Sequence, residues 1–324
     1  MKILVTGVAG FVGSNLVRRI LEVWPDASVV GVDMFNSYYN PALKEANVAD
    51  LLEHERFTLV RDDLSSMDLG PVVDECEFIF HQAGQAGVRA SWGDSFNAYT
   101  RDNVAVTQRL LEACKDLPSL RKLVYASSSS VYGEAHAYPT VEDALPGPRS
   151  PYGVTKLAAE HLVALYAKNL GLPSVSLRYF TVFGPGQRPD MAFTRFSYWA
   201  LTGQEIDVYG TGKQMRDFTY VADIVAGNLL AATSPIVDGS PVNLAGGSNA
   251  SLEEALNLIG EAAGKPLNIR HHAAALGDVT RTGGDINRAQ RELGWRPTVG
   301  LKEGIAHQVA WMEDRLADGY RLDK

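Results

Sequence analysis

The sequence predicts an α/β fold: a doubly wound parallel sheet with a smaller α/β lobe in its C-terminal part. Three observations predict it. Short, continuous apolar strands alternate with helical patterns through the first half of the chain. A glycine-rich turn, Gly7-Val8-Ala9-Gly10-Phe11-Val12-Gly13, joins the first strand to the first helix. After Gly184 the texture changes: Gly, Pro and Arg become frequent and the elements shorten.

Taken in order, Lys2–Thr6 reads as a buried strand and Phe11–Val23 as a helix with Leu16, Ile20 and Val23 on one face. Ser28–Val32 is the second strand, ending in Asp33, and Phe57–Arg61, Glu77–His81, Lys122–Ala126 and Ser174–Arg178 are further strands. Helices are expected over Pro41–Leu52, Met67–Asp74, Asn97–Cys114, Pro151–Asn169, Leu252–Ala263 and Leu301–Leu316. Strands that are apolar throughout, separated by helices, imply a parallel sheet covered on both faces. The main domain is expected over residues 1–183, with some later segments returning to it, and the lobe mainly over 184–324.

Composition narrows the function. Of 324 residues, 46% are hydrophobic and 21% charged, which excludes a disordered chain. The formal net charge is −8, the wrong sign for a general nucleic-acid binder, which must displace counterions with Lys and Arg. Cys76 and Cys114 stand in no metal-ligand spacing, and His271 and His272 read as surface residues, so no metal is expected. Polar residues follow the N-terminal apolar stretch at once, and no long apolar run occurs. A soluble, cytoplasmic protein without membrane contact is expected.

The glycine turn suits a dinucleotide. Gly7 allows a tight turn, Gly10 lets the backbone approach a pyrophosphate, and Gly13 permits close helix–strand packing. Phe11 and Val12 open the helix, whose free N–H groups and partial positive charge attract phosphate. The spacing is one residue wider than G-x-G-x-x-G. Asp33, twenty residues beyond Gly13, can accept both ribose hydroxyls and repels a 2′-phosphate, so NAD is favoured over NADP. Asp63 and Leu64 end the third strand and can meet the adenine ring.

Tyr152 and Lys156 are four apart on a predicted helix and share one face. A phenol has an ordinary pKa near 10, too high for a base at neutral pH. A nearby ammonium and the positive nicotinamide ring would lower it. Ser127–Ser130 lie just past a strand, at the sheet edge where ligands of open α/β sheets bind. A serine there can hydrogen-bond the reacting oxygen.

With these motifs in place the sequence resembles the extended short-chain dehydrogenase/reductase family, specifically the NAD-dependent nucleotide-sugar epimerases and dehydratases. The likeness runs over essentially the whole chain. Its marks are Thr6–Gly13, His81–Arg89, Ser127–Gly133, Ser150–Lys156, Arg178–Pro185, Gly210–Asp223 and Gly277–Pro297. It implies a Rossmann-type sheet in residues 1–183 that binds NAD, and a nucleotide-sugar lobe beyond. It implies Ser128, Tyr152 and Lys156 as the catalytic set, with Lys156 also holding the nicotinamide ribose. Gln82, Ala83, Gly84, Gln85, Asn103 and Tyr179 would line the NAD site. Met34 departs from the Asn common after the ribose-binding Asp, and Asn36 is the candidate substitute. The two helices Asn97–Cys114 and Pro151–Asn169 resemble the family's dimer interface, which implies a homodimer.

Within that family, 4,6-dehydratases carry Asp-Glu after the hydroxyl residue and UDP-glucuronate decarboxylases carry Glu, where this chain has Ser129 and Ser130. The resemblance therefore implies plain 4-epimerisation of a UDP-sugar. The stretch Thr181–Phe193 resembles the UDP-glucuronate 4-epimerases, giving UDP-glucuronate to UDP-galacturonate through a transient 4-keto sugar. Arg188 offers a planar charged fork for the sugar carboxylate, with Ser129 and Thr181 as further donors. Arg216 falls in the family's diphosphate segment, Arg89 follows the nicotinamide turn, Asp278 is a candidate for nucleotide ribose, and Phe193 and Tyr209 for flanking uracil. The alternatives are a UDP-glucose/UDP-galactose 4-epimerase, then a UDP-glucuronate decarboxylase. A non-enzymatic NAD-binding protein is disfavoured by the retained Ser128, Tyr152 and Lys156.

Overall fold

The computed structural model describes residues 1–134, 137–247, 249–273 and 279–322. Seven strands form the central sheet: β1 (Lys2–Thr6), β2 (Ser28–Asp33), β3 (Phe57–Arg61), β4 (Cys76–His81), β5 (Lys122–Ser128), β6 (Ser174–Tyr179) and β7 (Asp238–Leu244). Their order is β7-β6-β5-β4-β1-β2-β3, and every pairing is parallel. The order reverses between β1 and β4, so the turns after these two strands diverge and leave a crevice at the sheet's carboxyl edge.

The strands form where the sequence is apolar on both faces. Ile3, Leu4 and Val5 of β1 have no exposed surface. Each such side chain contributes roughly 1.5–3 kcal/mol when fully buried. Helices α1 (Phe11–Val23), α2 (Pro41–Val48), α3 (Val106–Cys114) and α4 (Pro151–Leu170) belong to the layers on the sheet, joined by α6 (Val221–Thr233), whereas α5 (Ala192–Thr202), α7 (Leu252–Ala263) and α8 (Leu301–Ala317) pack on one another in the lobe. Helix α4 is set by its ends. Ser150 Oγ accepts the Gly153 amide at 3.1 Å, Pro151 opens the first turn, and Gly171 closes the helix at φ 71°.

Several elements differ from the sequence expectation. The helix expected over Pro41–Leu52 stops at Val48, and Leu51–Glu53 forms a separate turn. The one expected over Met67–Asp74 shrinks to Gly70–Val73. The helix expected from Asn97 runs through Phe96–Tyr99, a π-helical turn at Thr100–Ala105 and then α3. Helices α5 and α6 and strand β7 were not anticipated. Helix α6 packs on α1, and β7 extends the main sheet beside β6, so the main layer recruits chain from beyond residue 183.

The remaining strands form three small pairs: Val182–Phe183 with Thr219–Tyr220, Met215–Asp217 with Asn249–Ser251, and Ile206–Tyr209 with Ile269–His272. Trp295 is buried and donates its indole N–H to the Asp223 carbonyl at 2.8 Å. Both cysteines are free and buried. No helix among the described residues is long and apolar enough to cross a membrane.

Candidate active site

A cleft of about 750 Å³ opens at the crevice between β1 and β4 and extends to Tyr209 and Gln214 beyond the main sheet. The turn after β1 forms its floor. Gly7 stands at φ 68°, and a Cβ there would lie 2.7 Å from the Ala83 amide nitrogen. A Cβ on Gly13 would lie 2.3 Å from the Gly7 carbonyl oxygen. Both contacts are possible only for glycine. Gly10 caps α1 without a side-chain hydrogen bond, so the first-turn amides carry no internal carboxylate or hydroxyl. Thr6 ties the turn to the next wall: its Oγ1 lies 2.8 Å from His81 Nδ1 and accepts the Ala83 amide at 3.2 Å.

At the end of β2, Asp33 accepts the Ala9 amide at 3.1 Å and the Phe35 amide at 2.8 Å. Its carboxylate is thus fixed beside the glycine turn. Lys44, buried on α2, stands 4.0 Å from Asp33 and donates to Asn36 Oδ1 at 2.7 Å. Burial pulls the Lys44 ammonium below its usual range, against the attraction of Asp33. Asp63 and Leu64 line the same end of the cleft, as do Met34 and Asn36. Asn36 commits its side-chain oxygen to Lys44.

The opposite wall carries the tyrosine and serines. Tyr152 and Ser128 line this wall together, and Ser128 Oγ accepts the Ser130 amide at 3.1 Å. Lys156 Nζ donates to the Ala126 carbonyl at 2.8 Å. A Cβ on Gly153 would sit 2.5 Å from the Ser130 carbonyl oxygen, so only glycine lets α4 start this close to the serine turn. Burial raises the Tyr152 pKa, while the nearby Ser128 hydroxyl and the Arg188 charge act to lower it. Desolvation lowers Lys156 to about 8. In the polypeptide alone, then, burial outweighs the lowering expected for the phenol, and Arg188 is the cation whose charge counters it.

Arg188 donates from Nε and Nη2 to Asp190 at 2.9 and 2.8 Å, and the Tyr38 hydroxyl stands 3.5 Å from Asp190. Arg89 lies over the Tyr209 ring, 4.8 Å from its centroid, and Tyr209 stacks on His272 at 5.3 Å. Ser129 and Thr181 line the cleft. So do Gly7, Gly10, Phe11, Val12, Gly13, Gln82, Ala83, Gly84, Gln85 and Tyr179. The Tyr179 hydroxyl bridges Gln82 Oε1 at 3.1 Å and Asn228 Oδ1 at 2.9 Å.

Three expected site residues stand elsewhere. Phe193 does not face the cleft: it is buried between Phe183 and Phe218, with centroids at 5.3 and 4.8 Å. Helix α5 begins at Ala192, and the face it turns to the cleft is Ala192, Arg195, Phe196 and Trp199. Arg216 is not on the wall either. Its strand pairs with Asn249–Ser251 and its guanidinium folds back on the Met215 carbonyl at 2.9 Å. Asn103 lies behind the wall. The π-helical turn sends its amide to the Gln85 carbonyl and to Thr155 Oγ1, both at 3.0 Å. Asp278 lies outside the described residues. Sequence reasoning missed Lys44, Tyr38 and Asn228; helical spacing from α5's start would have found Trp199.

A glycine turn at an uncapped helix start, a strand-end carboxylate and a Tyr-Ser-Lys group in one switch-point cleft define an NAD-dependent short-chain dehydrogenase/reductase-type site. Residues 3–245 match the NAD dependent epimerase/dehydratase family, and the chain belongs to it. Among relatives, it is 39% identical to an uncharacterised UDP-glucose epimerase of Bacillus subtilis, covering 96% of this chain and 98% of that one. It is 35% identical to a UDP-glucuronate 4-epimerase of Thermodesulfobacterium geofontis, covering 97% and 96%. Among solved structures, it is 40% identical to UDP-glucuronic acid 4-epimerase from Bacillus cereus in complex with UDP-glucuronic acid and NAD, with a TM-score of 0.93 over 97% of this chain and 99% of that one. A Tyr→Phe mutant of that enzyme, in complex with UDP-4-deoxy-4-fluoro-glucuronic acid and NAD, matches equally well.

Proposed function

We propose that this protein is an NAD-dependent UDP-glucuronate 4-epimerase, interconverting UDP-glucuronate and UDP-galacturonate. The observation that carries the reading is the gathering of Tyr152, Ser128, Lys156 and Arg188 in one cleft whose serine turn offers hydroxyls rather than carboxyls. The residues present fit NAD: the uncapped α1 amides face a pyrophosphate, Asp33 a ribose, and Lys156 the nicotinamide end. When bound, NAD accepts a hydride from C4 of the sugar and returns it, with no net oxidation.

Tyr152 takes the C4 hydroxyl proton and later gives it back. Ser128 orients that oxygen and stabilises the phenolate by its hydrogen bond. Lys156, charged below about pH 8, holds its ammonium near the reacting end of α4. The 4-keto sugar turns over in the cleft before it is reduced on the opposite face. The Tyr→Phe mutant of the Bacillus cereus enzyme supports a tyrosine in this role.

Arg188, with Ser129 and Thr181, binds the sugar carboxylate. Arg188 then exchanges part of its Asp190 pairing for the substrate, a charge-assisted contact of roughly 1.5–3 kcal/mol. Arg89 and Tyr209 bind the nucleotide end. Residues 1–183, with α6 and β7, form the cofactor half, and 184–324 mainly the sugar-nucleotide lobe. The protein acts as a homodimer through the helices after Phe96 and Pro151, which leave Phe96, Val154 and Leu165 exposed. The cytoplasm, where UDP-sugars are made, is its compartment.

The test is incubation of purified protein with UDP-glucuronate and separation of the products. UDP-galacturonate is expected. UDP-xylose, or turnover of UDP-glucose alone, overturns the assignment.

A further inference from the structure

Behind Tyr152 lies a buried polar cluster that none of these roles uses. Ser127 and Arg178 are register partners on β5 and β6, so their side chains leave the same face of the sheet. Helix α4 covers that face with Glu160. Arg178 donates from Nε and Nη2 to the Glu160 carboxylate at 3.0 and 2.6 Å, and Ser127 Oγ donates to the same carboxylate at 2.5 Å. The remaining Arg178 nitrogen serves the Tyr132 hydroxyl at 2.6 Å and the Glu142 carbonyl at 2.9 Å. All three side-chain owners, Ser127, Glu160 and Arg178, are buried.

A buried ion pair is an inefficient way to gain stability, since apolar residues of similar volume often serve as well. What a bidentate pair supplies is direction. Tyr152, Lys156 and Glu160 follow one another at four-residue steps along one face of α4. They make three rungs with three consecutive residues at the end of β5: Lys156 is hydrogen-bonded to the Ala126 carbonyl and Glu160 to Ser127, and Tyr152 shares the cleft wall with Ser128. Two of these rungs are in the machinery assigned above. The third is not.

We propose that Ser127 and Glu160 are positioning residues: the Arg178-anchored carboxylate grips the Ser127 hydroxyl, fixes the strand end against α4, and so keeps the Ser128 hydroxyl on the Tyr152 phenol. Without the third rung the strand end is held to β6 but no longer to α4 at Ser127, and the approach of the Ser128 hydroxyl to the phenol is the first to loosen. The proposal rests on Tyr152 being the acid/base. The other charged and titratable groups facing that phenol are Arg188 across the cleft, Lys156 on its own helix, Tyr99 edge-on at 6.3 Å and Tyr125 from β5. The Ser127 hydroxyl bonds to Glu160 and to none of these groups, so its removal acts on Tyr152 through position.

The test is Ser127→Ala in the holoenzyme, which removes the rung while leaving Glu160 paired with Arg178. Loss of alignment on this scale lowers kcat about tenfold near neutral pH, with KM within about twofold. The acid limb of the kcat profile moves to higher pH, because the phenolate has lost a donor, and the deficit shrinks as the pH rises. Ser127→Thr keeps the hydroxyl and restores both. The midpoint of thermal unfolding moves by no more than about 2–4 °C. Wild-type kcat with an unmoved limb in Ser127→Ala overturns the proposal. So does a kcat loss that follows a lowered midpoint with the limb unmoved. Ultraviolet titration of the Tyr152 phenol, taken as the difference between each background and its Tyr152→Phe counterpart, needs no substrate. The same upward shift is expected there, and no shift overturns the proposal even if the sugar assignment fails on its own.

Discussion

Tyr152, Lys156 and Glu160 stand on a helix of 20 residues capped at both ends, and Lys156 and Glu160 are bonded to a strand of the central sheet. Arg188, Asp190 and Tyr38 stand on loops that meet across the same cleft and bond mainly to one another. The difference separates two tasks. Proton transfer needs atoms held to within a fraction of an ångström, which regular elements supply. Recognition of a carboxylate needs a charged fork that can exchange its protein partner for a ligand, which loops allow.

The largest effect expected on the rigid side is Tyr152→Phe. It removes the only proposed acid/base and lowers kcat by roughly 10²–10⁴, with unfolding unchanged in calorimetry. A smaller loss would put the proton on another group. Next is stability. Glu160→Ala strands Arg178 in the interior and lowers the unfolding free energy by about 3–5 kcal/mol in denaturant titrations, whereas Asp190→Ala at the half-exposed rim costs about 1 kcal/mol or less. Equal costs would erase the contrast between the two regions.

Arg188→Ala should then weaken substrate binding by roughly 1.5–3 kcal/mol and raise UDP-pentose by-products, because the 4-keto uronate is a β-keto acid no longer held against loss of carbon dioxide. Product analysis at saturating UDP-glucuronate checks this; clean UDP-galacturonate at wild-type affinity would deny Arg188 the role. The smallest effect concerns pH. Lys156 is lowered to about 8 in the fold from an ordinary value of 10.5, so the unfolded chain binds more protons between those values. Stability therefore gains as the pH rises from about 8 toward 10.5, while turnover falls as the ammonium is lost. Lys156→Met should flatten that part of the stability curve.

The sheet was legible because its strands are apolar on both faces: β1 and α1 match the expected ranges residue for residue. Strand β7 was not, since Asp238-Gly239-Ser240-Pro241 reads as a turn and only an edge position tolerates that proline. Helix α6 escaped because it is buried on most sides and shows no amphipathic stripe. In the site, Ser128, Tyr152 and Lys156 were readable from local spacing. Phe193 misled because the start of α5 sets which face turns inward. Lys44 reaches the cleft, and Asn228 the Tyr179 hydroxyl that lines it, only through tertiary packing, which no local pattern records.

Turnover of UDP-glucuronate in deuterium oxide, with mass spectrometry of the product, tests the central claim most directly. If Tyr152 moves only the hydroxyl proton while the C4 hydrogen leaves and returns within the cleft, UDP-galacturonate forms with no deuterium bound to carbon. Deuterium at C4 or C5 would mean that a carbon-bound proton exchanges with solvent, and would contradict the account.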